Sequence, residues 1–119
     1  MTKGEVLERL RGHCLRLEGA EEVVKWGNDV VFQVGGKMFA VLGEWRGDLC
    51  LTVKVGKEAM GVFLEDARYF EAPYVGKHGW VSLRLGAEME DEEVGELVRG
   101  SYELVTSPKR RSRPPRAGR

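Results

Sequence analysis

Asp29-Val30-Val31-Phe32-Gln33-Val34-Gly35-Gly36-Lys37-Met38-Phe39-Ala40-Val41-Leu42 holds two apolar, strand-like runs on either side of a Gly-Gly pair. The two-residue turns favoured in hairpins put positive φ at one or both central positions, and glycine permits that without steric cost. The stretch therefore predicts an antiparallel hairpin, and with it an antiparallel sheet. Upstream, Glu22 to Trp26 is a short strand-like run closed by Gly27-Asn28. Downstream, Glu44 to Asp48 makes a polar turn, after which Leu49, Leu51, Val53 and Val55 alternate with Cys50, Thr52 and Lys54. This alternation puts the apolar set on one face and the polar set on the other, so one face of the sheet is expected to be wet.

Helices flank the strands. Thr2 ahead of Glu5 fits a capping box, and Val6, Leu10, Cys14 and Leu17 follow at helical spacing, which predicts a helix to about Leu17. Lys57 to Ala67 carries Ala59, Met60, Phe63 and Leu64 at helical spacing and predicts a short second helix. Tyr69 to Gly79 reads as irregular, and Val81, Leu83 and Leu85 then alternate with Ser82 and Arg84 as a last strand. Acidic residues Glu90 to Glu93 suit the positive end of a helix dipole, and Val94, Leu97, Val98, Ser101 and Val105 continue as a third helix. The expected architecture is an α+β two-layer sandwich, an antiparallel sheet of about five strands with helices packed on one face.

Residues 1–105 form one domain, long enough to bury a core without disulfide or metal staples. Residues 106–119 are expected to be a disordered basic tail, because Ser107-Pro108 stops the last helix and nothing beyond it is large and apolar. The tail carries Lys109, Arg110, Arg111, Arg113, Arg116 and Arg119 and no acid. The formal net charge of the 119-residue chain is zero, but without those six cations 13 basic residues face 19 acidic ones, so the body is near −6. No stretch approaches the roughly 20 apolar residues of a membrane span, and the N-terminus carries no apolar signal run, so a cytoplasmic protein is expected. Cys14 and Cys50 lie inside patterned apolar segments and are expected to be buried free thiols.

No catalytic residue, metal-ligand set or cofactor follows from the motifs. A GxSxG elbow is absent, and Cys14 beside His13 occupies adjacent helical positions, which point about 100° apart. Neither GxGxxG nor GxxxxGK[ST] occurs, and Gly76-Lys77-His78-Gly79 matches neither. Glu88, Glu90, Asp91, Glu92, Glu93 and Glu96 are of the type that hard cations take, but such a site needs converging ligands and a helix start explains the run. What remains is binding. Glycines around Lys77 and His78 would present both at a tip, with Tyr74 and Trp80 offering flat faces, a combination able to meet phosphates and bases. The alternative for this segment is a turn whose aromatics simply pack. Lys37, beside Gly35-Gly36, makes a second cationic tip.

Trp26-Gly27, Val31-Phe32 and Val34-Gly35-Gly36-Lys37-Met38-Phe39-Ala40, followed by Pro73-Tyr74-Val75-Gly76-Lys77-His78-Gly79-Trp80-Val81-Ser82-Leu83, resemble the MmcQ/YjbR family across nearly all of residues 2–105. The resemblance implies a CyaY-like (frataxin-like) sandwich and weak, non-specific DNA binding by a non-enzymatic protein. It implies Lys37 and Lys77 as the wing cations, with His78 and Arg84 as helpers. Tyr74, Trp80 and the tail residues Lys109, Arg110 and Arg111 complete the candidate DNA-contacting set. The acidic body opposes that function, and the basic tail offsets the opposition. Two alternatives stand beside it. One is an adaptor that docks a protein partner on the wet sheet face through Gln33, Thr52, Lys54, Arg84 and Trp80; the other is frataxin-like acidic metal binding.

Overall fold

A computed structural model describes residues 1–86 and 89–107. In chain order the elements are α1 (Lys3–Cys14), β1 (Ala20–Lys25), β2 (Asp29–Val34), β3 (Lys37–Trp45), β4 (Asp48–Lys54), α2 (Lys57–Leu64), β5 (Tyr69–Glu71), β6 (Trp80–Arg84) and α3 (Asp91–Thr106). The strands form one antiparallel sheet in the order β1-β2-β3-β4-β6-β5. Six strands stand where about five were expected. The sixth, β5, is a three-residue strand from the stretch expected to be irregular, and it pairs with β6 through Tyr69 and Leu83.

Local chemistry sets the ends. The capping box is present: the Glu5 N–H donates to Thr2 Oγ1 at 3.1 Å and the Thr2 N–H donates to the Glu5 carboxylate at 2.8 Å. Helix α1 ends at Cys14, short of Leu17, which still packs on the core from the following turn. Gly35 and Gly36, at φ of 57° and 79°, turn β2 into β3 as the hairpin requires.

All three helices cover one face of the sheet. Val6, Leu10 and Cys14 of α1 and Val94, Leu97, Val98 and Val105 of α3 pack with Val30, Phe32, Leu42, Leu51, Val53, Val81 and Leu83, while Met60 and Phe63 of α2 border the same core. Both cysteines are free and buried. Near its start β3 carries a bulge: Phe32 pairs with Ala40 but Gln33 pairs with Met38, so Phe39 is the extra residue. Phe39 and Ala40 are therefore both buried, and Phe39 meets the Tyr102 ring edge-on at 5.3 Å. Fully buried Ser101 of α3 resolves the hydrogen bonding there. Its hydroxyl donates to the Phe39 carbonyl at 2.6 Å and accepts the Lys54 N–H at 2.9 Å. Ion pairs add to the docking of α3, with Arg9 donating to Asp91 at 2.6 Å and Arg68 and the Tyr69 hydroxyl donating to Glu93.

Candidate functional site

The helix-free face of the sheet was expected to be wet, and here the structure differs. Val31 and Ser82 on that face are buried, and Trp80 is only 6 % exposed. On the same face Pro73, Tyr74 and Val75 of the β5–β6 connection, with Trp26, Met38 and Trp45, wall a cleft of about 570 Å³. Its floor is Val41, Gly43, Cys50, Thr52 and Ser82. Thr52 and Ser82 are cross-strand partners whose hydroxyls bond each other at 2.7 Å, so the polar centre of the floor is satisfied internally. A cleft of this size, apolar and aromatic with few polar groups, has the make-up of a ligand site.

Backbone strain gathers around it. Among the described residues Trp26, Arg46 and Tyr74 are the non-glycine positions at positive φ, at 52°, 55° and 69°. For bulky side chains this region is unfavourable, by about 1–3 kcal/mol per residue. Trp26 and Tyr74 are nevertheless large exposed apolar surfaces, at 67 % and 88 %, on the rim of the same cleft. The connection carrying Tyr74 is held at its base by Gly79, whose carbonyl accepts the N–H groups of Val55 and Gly56 at 2.8 and 3.0 Å. Gly79 has φ of 92°, and a Cβ there would lie 2.9 Å from the Gly56 backbone, so only glycine fits.

Asp29 and Glu44 carry the only charges among the residues lining the cleft. The Asp29 carboxyl lies directly over Gly43, where an added Cβ would meet Oδ1 at 2.5 Å. Burial raises the Asp29 pKa above the usual aspartate value, and the charge of Lys3 offsets this only in part. The Cys50 thiol is pushed up as well, by burial first and the nearby Asp48 second. An apolar cleft with two carboxyls, those of Asp29 and Glu44, in its lining can take an apolar group bearing a cation.

The residues expected from sequence to contact DNA fall in several places. Lys37 on the β2–β3 tip and Lys77 and His78 on the turn before β6 are exposed. They lie at the same end of the sheet, since the end of β4 pairs with the start of β3 through Val53 and Ala40 and with the start of β6 through Lys54 and Trp80, which sets the two strand axes roughly 10 Å apart. Arg84 is at the opposite end. It stacks on Phe70 at 4.4 Å, donates to the Ala67 carbonyl and lies 3.5 Å from Asp48. Tyr74 stands on the cleft rim, and buried Trp80 presents no flat face to a ligand. Lys109, Arg110 and Arg111 lie outside the described residues. Of the acids at the start of α3, Asp91 is bound to Arg9 and His13 and Glu93 to Arg68 and Tyr69; these contacts hold both carboxylates below their usual pKa, despite the burial that alone would raise Glu93. Among the described residues no three His, Cys, Asp or Glu side chains converge as metal ligands would.

Sequence reasoning passed over Trp26, Trp45, Met38 and Asp29. The available signal was the unbroken apolar runs Val30-Val31-Phe32 and Phe39 to Leu42, which mark strands covered on both faces. The two separated blocks that carry the family resemblance meet at the cleft, Trp26 and Met38 from the first and Pro73, Tyr74, Val75 and Ser82 from the second.

The YjbR family model matches residues 15–104. Among solved structures the chain is similar to Deinococcus radiodurans protein DR2400, which carries the family-model domain DUF419. The identity is 31 %, the TM-score 0.71, and the match covers 87 % of this chain and 80 % of that one. It is also similar in fold to a protein from Pseudomonas syringae, with a TM-score of 0.66 at 16 % identity over 87 % of this chain and 98 % of that one. No curated protein matches the chain.

Proposed function

The chain belongs to the YjbR family, and from that premise we propose that it is a non-enzymatic docking module whose helix-free sheet face takes an apolar, cation-bearing peptide segment of a protein partner. One observation carries this reading: Trp26 and Tyr74, exposed and held at unfavourable φ, flank an apolar cleft whose only charged lining residues are acids. Aromatic grooves accept proline-rich segments because those are already extended and lose little entropy on binding. Asp29 supplies the complement to a basic residue beside the prolines. The test is a titration of the chain with an arginine-flanked polyproline peptide, followed by tryptophan fluorescence. Tyr74→Ser and Asp29→Asn are each expected to weaken binding about tenfold, the loss of one good contact. Unchanged affinity in both variants would remove the cleft as the site.

A second reading, weak DNA binding through Lys37, Lys77, His78 and the tail, is favoured by the position of both cationic tips at one end of the sheet. It predicts duplex binding that falls steeply as salt rises from about 50 mM and weakens in a Lys37→Ala/Lys77→Ala chain. Absence of duplex binding at that salt would sink it, whereas the peptide reading predicts a much shallower salt dependence.

A further inference from the structure

We propose that the chain pairs with a second copy of itself along β1, as a two-fold dimer whose two sheets become one. Among the described residues β1 pairs with β2 alone, so it is an edge of the sheet, six residues long against three for β5 at the other edge. A strand edge offers a row of backbone donors and acceptors on which another strand can add. Val24, in the middle of this edge, is 63 % exposed.

The hydrogen-bond phase of β1 limits how a copy can add. The Ala20 N–H donates to the Leu17 carbonyl at 3.1 Å, so Ala20 faces Val34 as a pair without ladder hydrogen bonds. Bonded and non-bonded pairs alternate along an antiparallel ladder, so Glu21, Val23 and Lys25 bond to β2, and Glu22 and Val24 turn their N–H and C=O groups outward. A two-fold copy using those outward groups has three centred registers. Glu22 on Glu22 opposes like charges. Val24 on Val24 sets Lys25 against Val23 and leaves Glu21 facing Gly27. Glu22 on Val24 centres Val23 on its own copy and sets Glu21 opposite Lys25 twice, and these side chains share the helix-free face, because Val23 pairs with Val31 there. Opposite charges directly across a strand pair stabilise it and like charges destabilise it, so charge selects this last register. Paired strands keep the same faces, so the dimer carries both helix layers on one side and both clefts on the other. Nothing in this pairing depends on what the cleft binds.

The edge is small beside a standard interface of about 800 Å² per partner, so dimers are expected in sedimentation velocity at roughly 0.1–1 mM full-length chain. Val24→Pro removes an outward N–H, which an edge strand tolerates, and should weaken the dimer at least about tenfold. Glu21→Lys should weaken it about tenfold, and Glu21→Lys/Lys25→Glu, which rebuilds both pairs in reverse, should restore it. Register is read by cross-linking. Val23→Cys puts two thiols on a non-bonded pair with Cα atoms about 4.5 Å apart, within disulfide range, whereas in this register Val24→Cys puts them more than about 7 Å apart, out of range. The native cysteines are buried, so mild oxidation should join the Val23→Cys chain and leave Val24→Cys and the parent chain largely single. A monomer at 1 mM, or a dimer indifferent to Glu21→Lys, would overturn the inference, and so would cross-linking of Val24→Cys as fast as Val23→Cys.

Discussion

Ser101→Ala should destabilise the fold by about 3 kcal/mol. The hydroxyl is fully buried, donates to the Phe39 carbonyl at 2.6 Å and accepts the Lys54 N–H at 2.9 Å. Alanine removes one oxygen, leaves almost no cavity and leaves both backbone groups without that partner. A buried polar group left unsatisfied costs about 1–3 kcal/mol. Two such groups would cost about 2–6, and relief from burying the hydroxyl itself offsets part of this, which brings the figure to the lower half of the range. For a domain of this size each 1 kcal/mol lowers Tm by roughly 4–8 °C, so a fall of about 12–24 °C is expected in calorimetry, with a matching shift of the urea midpoint at constant slope. Ser101→Thr, which keeps the oxygen, should lose less than the alanine chain. A fall under about 3 °C in Ser101→Ala would refute the idea that the bulge at Phe39 depends on α3 for its hydrogen bonds.

Gly79→Ala should cost about 2–4 kcal/mol, because it combines a φ of 92° with a Cβ placed 2.9 Å from backbone atoms; thermal melts check this, and a neutral result would mean that the connection is free to shift. Asp29→Asn should raise stability near pH 7. The folded pKa of Asp29 is raised, so its contribution is present below the unfolded value and lost as pH rises through the folded one; the gain in the variant should shrink towards low pH, and urea melts across the carboxylate range decide it. Asp91, Glu22 and Glu93 have folded pKa values below the usual range through their arginine partners, and Asp66, beside Arg68, falls to about 2. Their contribution is full above the unfolded values near pH 4 and drains as pH falls towards about 2, so circular dichroism should show acid loosening in that window, modest for each pair because all are partly exposed.

The sheet was legible where turn chemistry and periodicity agreed. Gly35-Gly36 forced the β2–β3 hairpin, and Val94, Leu97, Val98, Ser101 and Val105 marked the buried side of α3, all five being buried there. Strand β5 was not legible, because three residues are too few for any period to register. The bulge was hidden for a related reason: Phe39 and Ala40 are both inward, which breaks alternation and looks like one apolar run. Leu17 continued the α1 stripe past the end of the helix, since a turn can return a side chain to the same core.

The site was harder to see because its parts are remote in sequence and its exposure runs against residue type. The wet face was inferred from β4 alone, where Thr52 and Lys54 alternate with leucine and valine. Its neighbours β2 and β3 are apolar on both sides, and residues 73–75, from the far side of two elements, join β3 in walling the cleft on that face. Trp80 looked like a platform in the loop, but it opens β6, an interior strand, and is packed away. Trp26 looked like the end of a strand, yet its φ of 52° bends the chain so that the ring stands in solvent at the cleft rim. Burial here follows backbone placement. The exposed aromatics at the cleft rim are therefore those the turns displace from the sheet, at a backbone cost the surrounding structure must offset.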